Sequence, residues 1–207
     1  MKVLLLNGST RKNGCTYLAL AEIAKVLNNE GIETEILQLG ASPVRDCVAC
    51  KGCADKNRCV FDDDLVNAVI AKAETADGFV FGSPVYYAHP SGQILSLLDR
   101  VFYAGGAVFA HKPGAVVVTA RRAGTTASLD VLSKYLQIAQ MPVVASTYWN
   151  MVFGPAPELV PQDAEGLQTM RNIGRNLAWL LRCIEAGRKQ GIALPQTEKE
   201  IRTNFNK

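Results

Sequence analysis

The chain has 207 residues, 48% of them hydrophobic, and a formal net charge of +3. That is enough apolar material to bury one full core, so a single domain over 1–207 is expected. Lys and Arg are scattered rather than clustered, which excludes a broad basic face for nucleic acid or an acidic membrane.

The opening MKVLLLNGST carries one positive charge and an apolar run shorter than a signal-peptide core. It reads as a first strand, and no later stretch has the roughly twenty apolar residues of a membrane span. A cytoplasmic location is therefore expected, where thiols stay reduced and structural disulfides are rare.

In chain order, KVLLL (2–6) is a buried strand, TYLALAEIAKVLNNEG (16–31) has helical spacing with Gly31 as its stop, and IETEILQL (32–39) alternates as a second strand. Strand, helix, strand predicts a right-handed crossover. A cysteine-rich segment, 44–62, follows and leads into DDDLVNAVIAKAETAD, where Asp62 to Asp64 suit a helix N-terminus. The strand and helix alternation then resumes: 78–82, 91–105, 114–120, 125–140 and 142–149. A Pro-rich connection, FGPAPELVPQD, precedes a closing amphipathic helix near 164–187 and a polar C-terminal tail from about residue 188.

Five apolar runs alternating with helices predict an α/β fold, a parallel sheet covered on both faces. The expected architecture is a doubly wound three-layer sandwich of flavodoxin-like order 2-1-3-4-5, with the cysteine-rich insert after strand 2. Ligands of such sheets lie at the carboxyl ends of the strands, where strand order reverses.

The loop after strand 1, NGSTRKNGCT, lacks both GxGxxG and a Walker pattern and runs directly into a helix. Backbone N–H groups there, with the Ser9, Thr10 and Thr16 hydroxyls and the Arg11 guanidinium, suit one phosphate monoester. The plainer alternative is a helix capped by Asn13 or Thr16. After strand 3, GSPVYYAHPSG is stiffened by Pro84 and Pro90; its backbone can meet the edge of a flat heteroaromatic ring while Tyr86 or Tyr87 covers a face. After strand 4, TARRAGTT offers small residues with Arg121 and Arg122 at another helix start. Three such loops at one sheet edge point to a nucleotide-like ligand.

The combination of NGSTRKNGCT, GSPVYYAHPSGQILSLLDR and CVACKGC followed by FDDD resembles the iron-sulfur flavoprotein branch of the flavodoxin-fold NADPH-dependent FMN reductase superfamily, from residue 1 to about 145. The resemblance implies FMN, with its phosphate on Ser9, Arg11, Asn13, Cys15 and Thr16. Its isoalloxazine would lie against Pro84, Val85, Tyr86, Tyr87 and the loop from Thr119 to Gly124. It also implies a ferredoxin-type electron donor, a small-molecule acceptor such as oxygen, peroxide or a quinone, and a homodimer or homotetramer in which the cysteine segment reaches a neighbour's flavin.

Cys47, Cys50, Cys53 and Cys59 follow C-x2-C-x2-C-x5-C. Three ligands so closely spaced wrap around one compact [4Fe-4S] cluster, whereas zinc usually takes two pairs separated by a longer loop. Zinc and unligated redox thiols stay open as alternatives. Small neighbours such as Gly52, with Lys51 and Arg58, suit N–H groups aimed at sulfides and an offset for negative charge.

Cys15 is expected to act through its backbone and Cys183 to sit in the core. His89 and His111 lack a nucleophile in their local motifs. Asp99 and Arg100 read as a helix-surface ion pair or subunit contact. The expected activity is a flavin-dependent oxidoreductase passing electrons between cluster, FMN and a small acceptor. The alternatives are an NAD(P)H-dependent FMN or quinone reductase with structural or zinc-bound cysteines, a non-catalytic electron carrier, and a zinc-stabilised interaction module.

Overall fold

A computed structural model describes residues 1–201 and 203. Five strands form the parallel sheet: β1 (Lys2–Asn7), β2 (Glu33–Gln38), β3 (Gly78–Tyr86), β4 (Gly114–Ala120) and β5 (Met151–Phe153). Their order is 2-1-3-4-5 as expected, and every neighbouring pair is parallel. A two-residue strand, His89–Pro90, returns antiparallel on the end of β3. The helices are α1 (Cys15–Asn29), α2 (Val66–Thr75), α3 (Gly92–Gly105), α4 (Thr125–Ile138) and α5 (Ala164–Lys189).

Alternation along the strands explains the three layers, because successive side chains leave opposite faces of a pleated sheet. Leu4 and Leu6 of β1, Phe79 and Phe81 of β3 and Val116 and Val118 of β4 pack with α2, α3 and α4. Val3 and Leu5, Val80, Ala115 and Val117 take the other face and meet α1 and α5. Strands buried on both faces read as continuous apolar runs, which is why these three were visible in the sequence. β2 lies at the sheet edge, where Glu33 and Glu35 are ion-paired and keep the edge charged.

The fifth strand departs from the expected 142–149. Gly114 N–H donates to Pro142 O at 3.0 Å and Val144 N–H to Gly114 O at 2.8 Å, so the chain does join the sheet at Val143. It then leaves, with Asn150 binding Ser146 Oγ and Val144 O across the excursion, and pairs again at Met151–Phe153. Two short pairings flank a side-chain-stabilised detour instead of one strand.

Other boundaries move less. β3 continues to Tyr86 because its last residues form a hairpin with His89–Pro90. α2 starts at Val66, where Asp64 Oδ1 accepts the Val66 N–H at 3.1 Å. Asp62 instead accepts from Arg58 and Asn67, so it is not a helix cap. Asp163 caps α5 through Gly166 N–H at 2.9 Å and also accepts Phe153 N–H at 2.6 Å, tying the helix to β5. Cys183 is exposed rather than in the core. The helix α5 extends to Lys189, past the expected start of the tail; of that tail, 202 and 204–207 lie outside the described residues. Among the described residues no helix is long and apolar enough to cross a membrane.

Candidate functional site

The loops after β1, β3 and β4 meet at the carboxyl edge of the sheet, and glycines set how closely they approach. Gly8 N–H donates to Gly82 O at 2.8 Å, and a Cβ on Gly8 would stand 2.8 Å from that same oxygen. Gly124 has φ +86°, and a Cβ there would lie 2.9 Å from Val85, so the third loop closes onto the second. Ser91 caps α3 through Ile94 N–H and donates its hydroxyl to Gly8 O at 2.7 Å. One serine thus fastens the first loop to the helix after the hairpin.

Within the first loop, Ser9 N–H donates to Asn7 Oδ1 and Arg11 N–H to Ser9 Oγ, both at 3.1 Å. Gln38 donates to Ser9 O and accepts from Asn7 Nδ2 at 2.6 Å, bracing the turn from β2. The helix it opens has Gly14 at its N-cap, with no side-chain cap and no acidic residue in its first turn. Neither Asn13 nor Thr16 caps it, which leaves its N–H groups and positive end available to an anion. Thr10 Oγ1 and Tyr86 OH share a hydrogen bond at 3.2 Å, joining the first loop to the hairpin. Burial pushes the Tyr86 phenol up, but hydrogen bonds from Thr10 and Ser9 and the Arg11 charge outweigh it and leave it below the usual tyrosine value. Hydrogen-bond donors and the Arg11 charge around that oxygen thus favour its anionic form.

Other candidate residues take distinct positions. Thr16 and Thr119 are both buried and share a hydrogen bond at 2.8 Å, linking α1 to β4 beneath the loops. Cys15 Sγ donates to Gly154 O at 3.4 Å, and burial pushes its thiol up. Arg11, Asn13, Arg121 and Arg122 are exposed. Pro84 and Val85 are partly buried in the hairpin, and Tyr87 at its tip is fully exposed with φ +61°. That backbone conformation is strained for a bulky residue and holds its ring out from the protein surface. Together the three loops present hydroxyl, guanidinium and aromatic groups at the carboxyl edge of the sheet.

The cysteine segment packs between α2 and α3. Asn67 accepts Cys59 N–H at 2.8 Å and donates to Cys59 O, Phe61 O and Asp62 Oδ1, clipping the end of the segment to α2. Cys59 is buried, Cys53 partly buried, and Cys47 and Cys50 exposed. All four line one cavity of about 20 Å³ together with Phe61, Arg100 and Tyr103. Among the described residues no three His, Cys, Asp or Glu side chains are grouped as a metal would hold them.

Three features of the segment nonetheless fit an iron-sulfur cluster. Ala49, Lys51, Asp55 and Asn57 all have φ between +50° and +58°, a concentration of left-handed non-glycine residues of the kind from which backbone anion nests are built. Gly52 keeps the interior open, since a Cβ there would lie 2.7 Å from Val60 and 3.5 Å from Cys50 Sγ. Arg100 Nη2 donates to Cys59 Sγ at 3.3 Å. Burial would lower the Arg100 value, but hydrogen bonding with Cys59 and Asp64 more than offsets it and holds the guanidinium charged.

The expected surface pair of Asp99 and Arg100 does not exist: Asp99 accepts from Tyr135 OH, while Arg100 is buried and pairs with Asp64. Sequence reasoning missed Asn67 and placed Arg100 on the surface instead of beneath the cysteine segment. Their partners are distant or irregular in the chain, and the only signal was an arginine on the apolar spacing of SLLDRVF.

Residues 1–156 match the family described as NADPH-dependent FMN reductase. An iron-sulfur flavoprotein of Methanocaldococcus jannaschii is 33% identical, covering 89% of this chain and all of that one. An iron-sulfur flavoprotein of Methanosarcina thermophila is 28% identical over 91% of this chain and 99% of its own. In fold, a WrbA-like flavodoxin from Agrobacterium tumefaciens superposes with a TM-score of 0.63 at 16% identity, covering 88% of this chain and 97% of that one.

Proposed function

The chain belongs to the NADPH-dependent FMN reductase family and is a flavin-dependent oxidoreductase, and from that premise we propose that it passes electrons between a cysteine-bound [4Fe-4S] cluster, FMN and a small acceptor. Bound FMN supplies chemistry that moves one or two electrons, which lets a single-electron donor serve a two-electron acceptor. The chain's part is to bind, orient and tune.

The first loop holds the phosphate: free N–H groups at the start of α1, the Ser9 and Thr10 hydroxyls and Arg11 supply donors and positive charge. Asn13 and Cys15 contribute backbone, and the Thr16–Thr119 bond keeps the floor of the site in place. Pro84, Val85, Tyr86 and Tyr87 with the loop from Thr119 to Gly124 border the ring, where Arg121 and Arg122 add charge at the rim. Cys47, Cys50, Cys53 and Cys59 hold the cluster. In this reading residues 1–207 act as one FMN-binding unit, assembled as a homodimer or homotetramer and served by a ferredoxin-type donor or NAD(P)H.

The observation that carries the proposal is the cavity that all four cysteines share with a buried guanidinium, in a loop with four left-handed non-glycine residues. Anaerobic mixing with reduced ferredoxin tests it, following the loss of flavin absorbance in the parent and in Cys50→Ser. Fast bleaching in the parent that the variant loses, with FMN content unchanged, supports the route through the cluster. Equal rates in both would contradict it, because the flavin would then take its electrons from ferredoxin without the cluster.

A further inference from the structure

Arg100 lies on α3 with only 2% of its surface exposed, an extreme position for arginine. Its fork is spread over two kinds of acceptor. Nη1 donates to Asp64 and to Arg45 O at 3.1 Å, while Nη2 donates to Phe61 O and Cys59 Sγ, each at 3.3 Å. Nε is buried with no partner among the described residues.

A buried ion pair is seldom retained for stability, because well-packed apolar residues of similar volume do as well or better. Asp64 alone would neutralise the charge, and a lysine would suffice for it. The second arm of a planar fork is needed to reach Asp64 and the Cys59 sulfur at once from one side chain. The fork ties the backbone of the cysteine segment at Arg45 and Phe61 and at the same time fixes an N–H donor on the Cys59 sulfur. Reduction of a thiolate-bound cluster adds one negative charge, and a fixed cation and N–H donor beside a ligand sulfur, in a desolvated setting, make that addition easier.

We propose that Arg100 is a positioning residue that raises the reduction potential of the cysteine-bound cluster through its hydrogen bond to Cys59. The inference rests on the iron-sulfur reading above. One electron from a one-electron reductant enters the cluster, no bond is made or broken, and Arg100 keeps its proton throughout.

The test is a redox titration followed by electron paramagnetic resonance on the anaerobically reconstituted holoprotein, with dithionite as reductant and iron counted per chain. In the double variant Arg100→Gln/Asp64→Asn both charges leave together, so no orphaned carboxylate is buried. Its expected iron content equals the parent's, and its equilibrium constant for one-electron reduction falls about tenfold or more, 59 mV per factor of ten. Arg100→Lys, whose single ammonium cannot span both acceptors, is expected to shift the same way by a smaller factor. Should the double variant fail to take up iron, the lysine variant decides, and a parental potential there overturns the proposal. Iron-loaded variants with the parent's potential overturn it alone. A parent that takes up no iron overturns the iron-sulfur reading, and this inference with it.

Discussion

Arg11 carries the clearest consequence at the scale of single residues. It is exposed at the start of α1, its N–H is held by Ser9 Oγ, and its charge depresses the Tyr86 phenol, so its field reaches the oxygen at the mouth of the first loop. A charge-assisted hydrogen bond to phosphate is worth about 1.5–3 kcal/mol. Arg11→Ala is therefore expected to weaken FMN binding by roughly tenfold to a hundredfold while leaving riboflavin, which has no phosphate, almost unaffected. Quenching of flavin fluorescence during titration measures both, and equal losses for the two flavins would remove Arg11 from the phosphate site. The loop itself was legible because hydroxyl residues and an arginine follow an apolar run. The inward turn of Thr16 was not, since nothing local reveals its bond to Thr119, which is 103 positions away.

Among elements, β2 shows how a weakly buried strand is held. Glu35 is ion-paired to Lys72 of α2 at 2.6 Å and Lys2 of β1 at 2.9 Å, and these bonds hold its carboxyl below the usual value of 4.5. A lowered carboxyl adds stability that is complete above the unfolded value and fades as pH falls through the folded one. Glu35→Gln should cost about 1 kcal/mol or less near neutrality, given the partial exposure. Urea denaturation should show that difference shrinking as the pH falls below the usual value of 4.5 and vanishing below the lowered folded value, and a gap that persists in acid would assign it to packing. Helices α1, α3 and α4 were readable because their apolar spacing is regular and Gly or Ser marks their starts. The split fifth strand was not, because PVVASTYW has strand-like composition throughout. What removes its second half from the sheet is the Asn150 network with Ser146 and Val144, and that depends on the closed fold. The N-cap of α5 escaped for a similar reason: Asp163 stands in a Pro-rich connection, and its second partner is Phe153 of β5.

For the whole molecule, the two apolar layers supply the scaffold, and the carboxyl edge carries loops joined by few bonds: Thr10 to Tyr86, Ser91 to Gly8 and Gly8 to Gly82. A ligand bridging three loops stabilises the native state by mass action, about 2.7 kcal/mol at a hundredfold excess over Kd. For a chain of this size that raises the thermal midpoint by roughly 5 to 10 °C. Calorimetry with FMN added to flavin-free protein should show it, and an unchanged midpoint would exclude a built FMN site. The layered architecture and strand order were legible as a whole because buried parallel strands read as unbroken apolar runs. The cysteine segment was legible as a motif but not as a conformation: its left-handed residues include alanine, lysine, aspartate and asparagine, and the Arg100 beneath it comes from a helix some forty positions on.

The account turns on whether those four thiols hold iron and sulfide beside a bound flavin. Anaerobic reconstitution followed by FMN, iron, acid-labile sulfide and zinc analysis per chain addresses this most directly. The predicted result is one FMN with about four irons and four sulfides, iron being lost in Cys50→Ser while flavin is retained. FMN with no iron or sulfide, or with zinc in their place, would contradict the account and leave the cysteine segment a structural or thiol-redox feature of a flavin reductase.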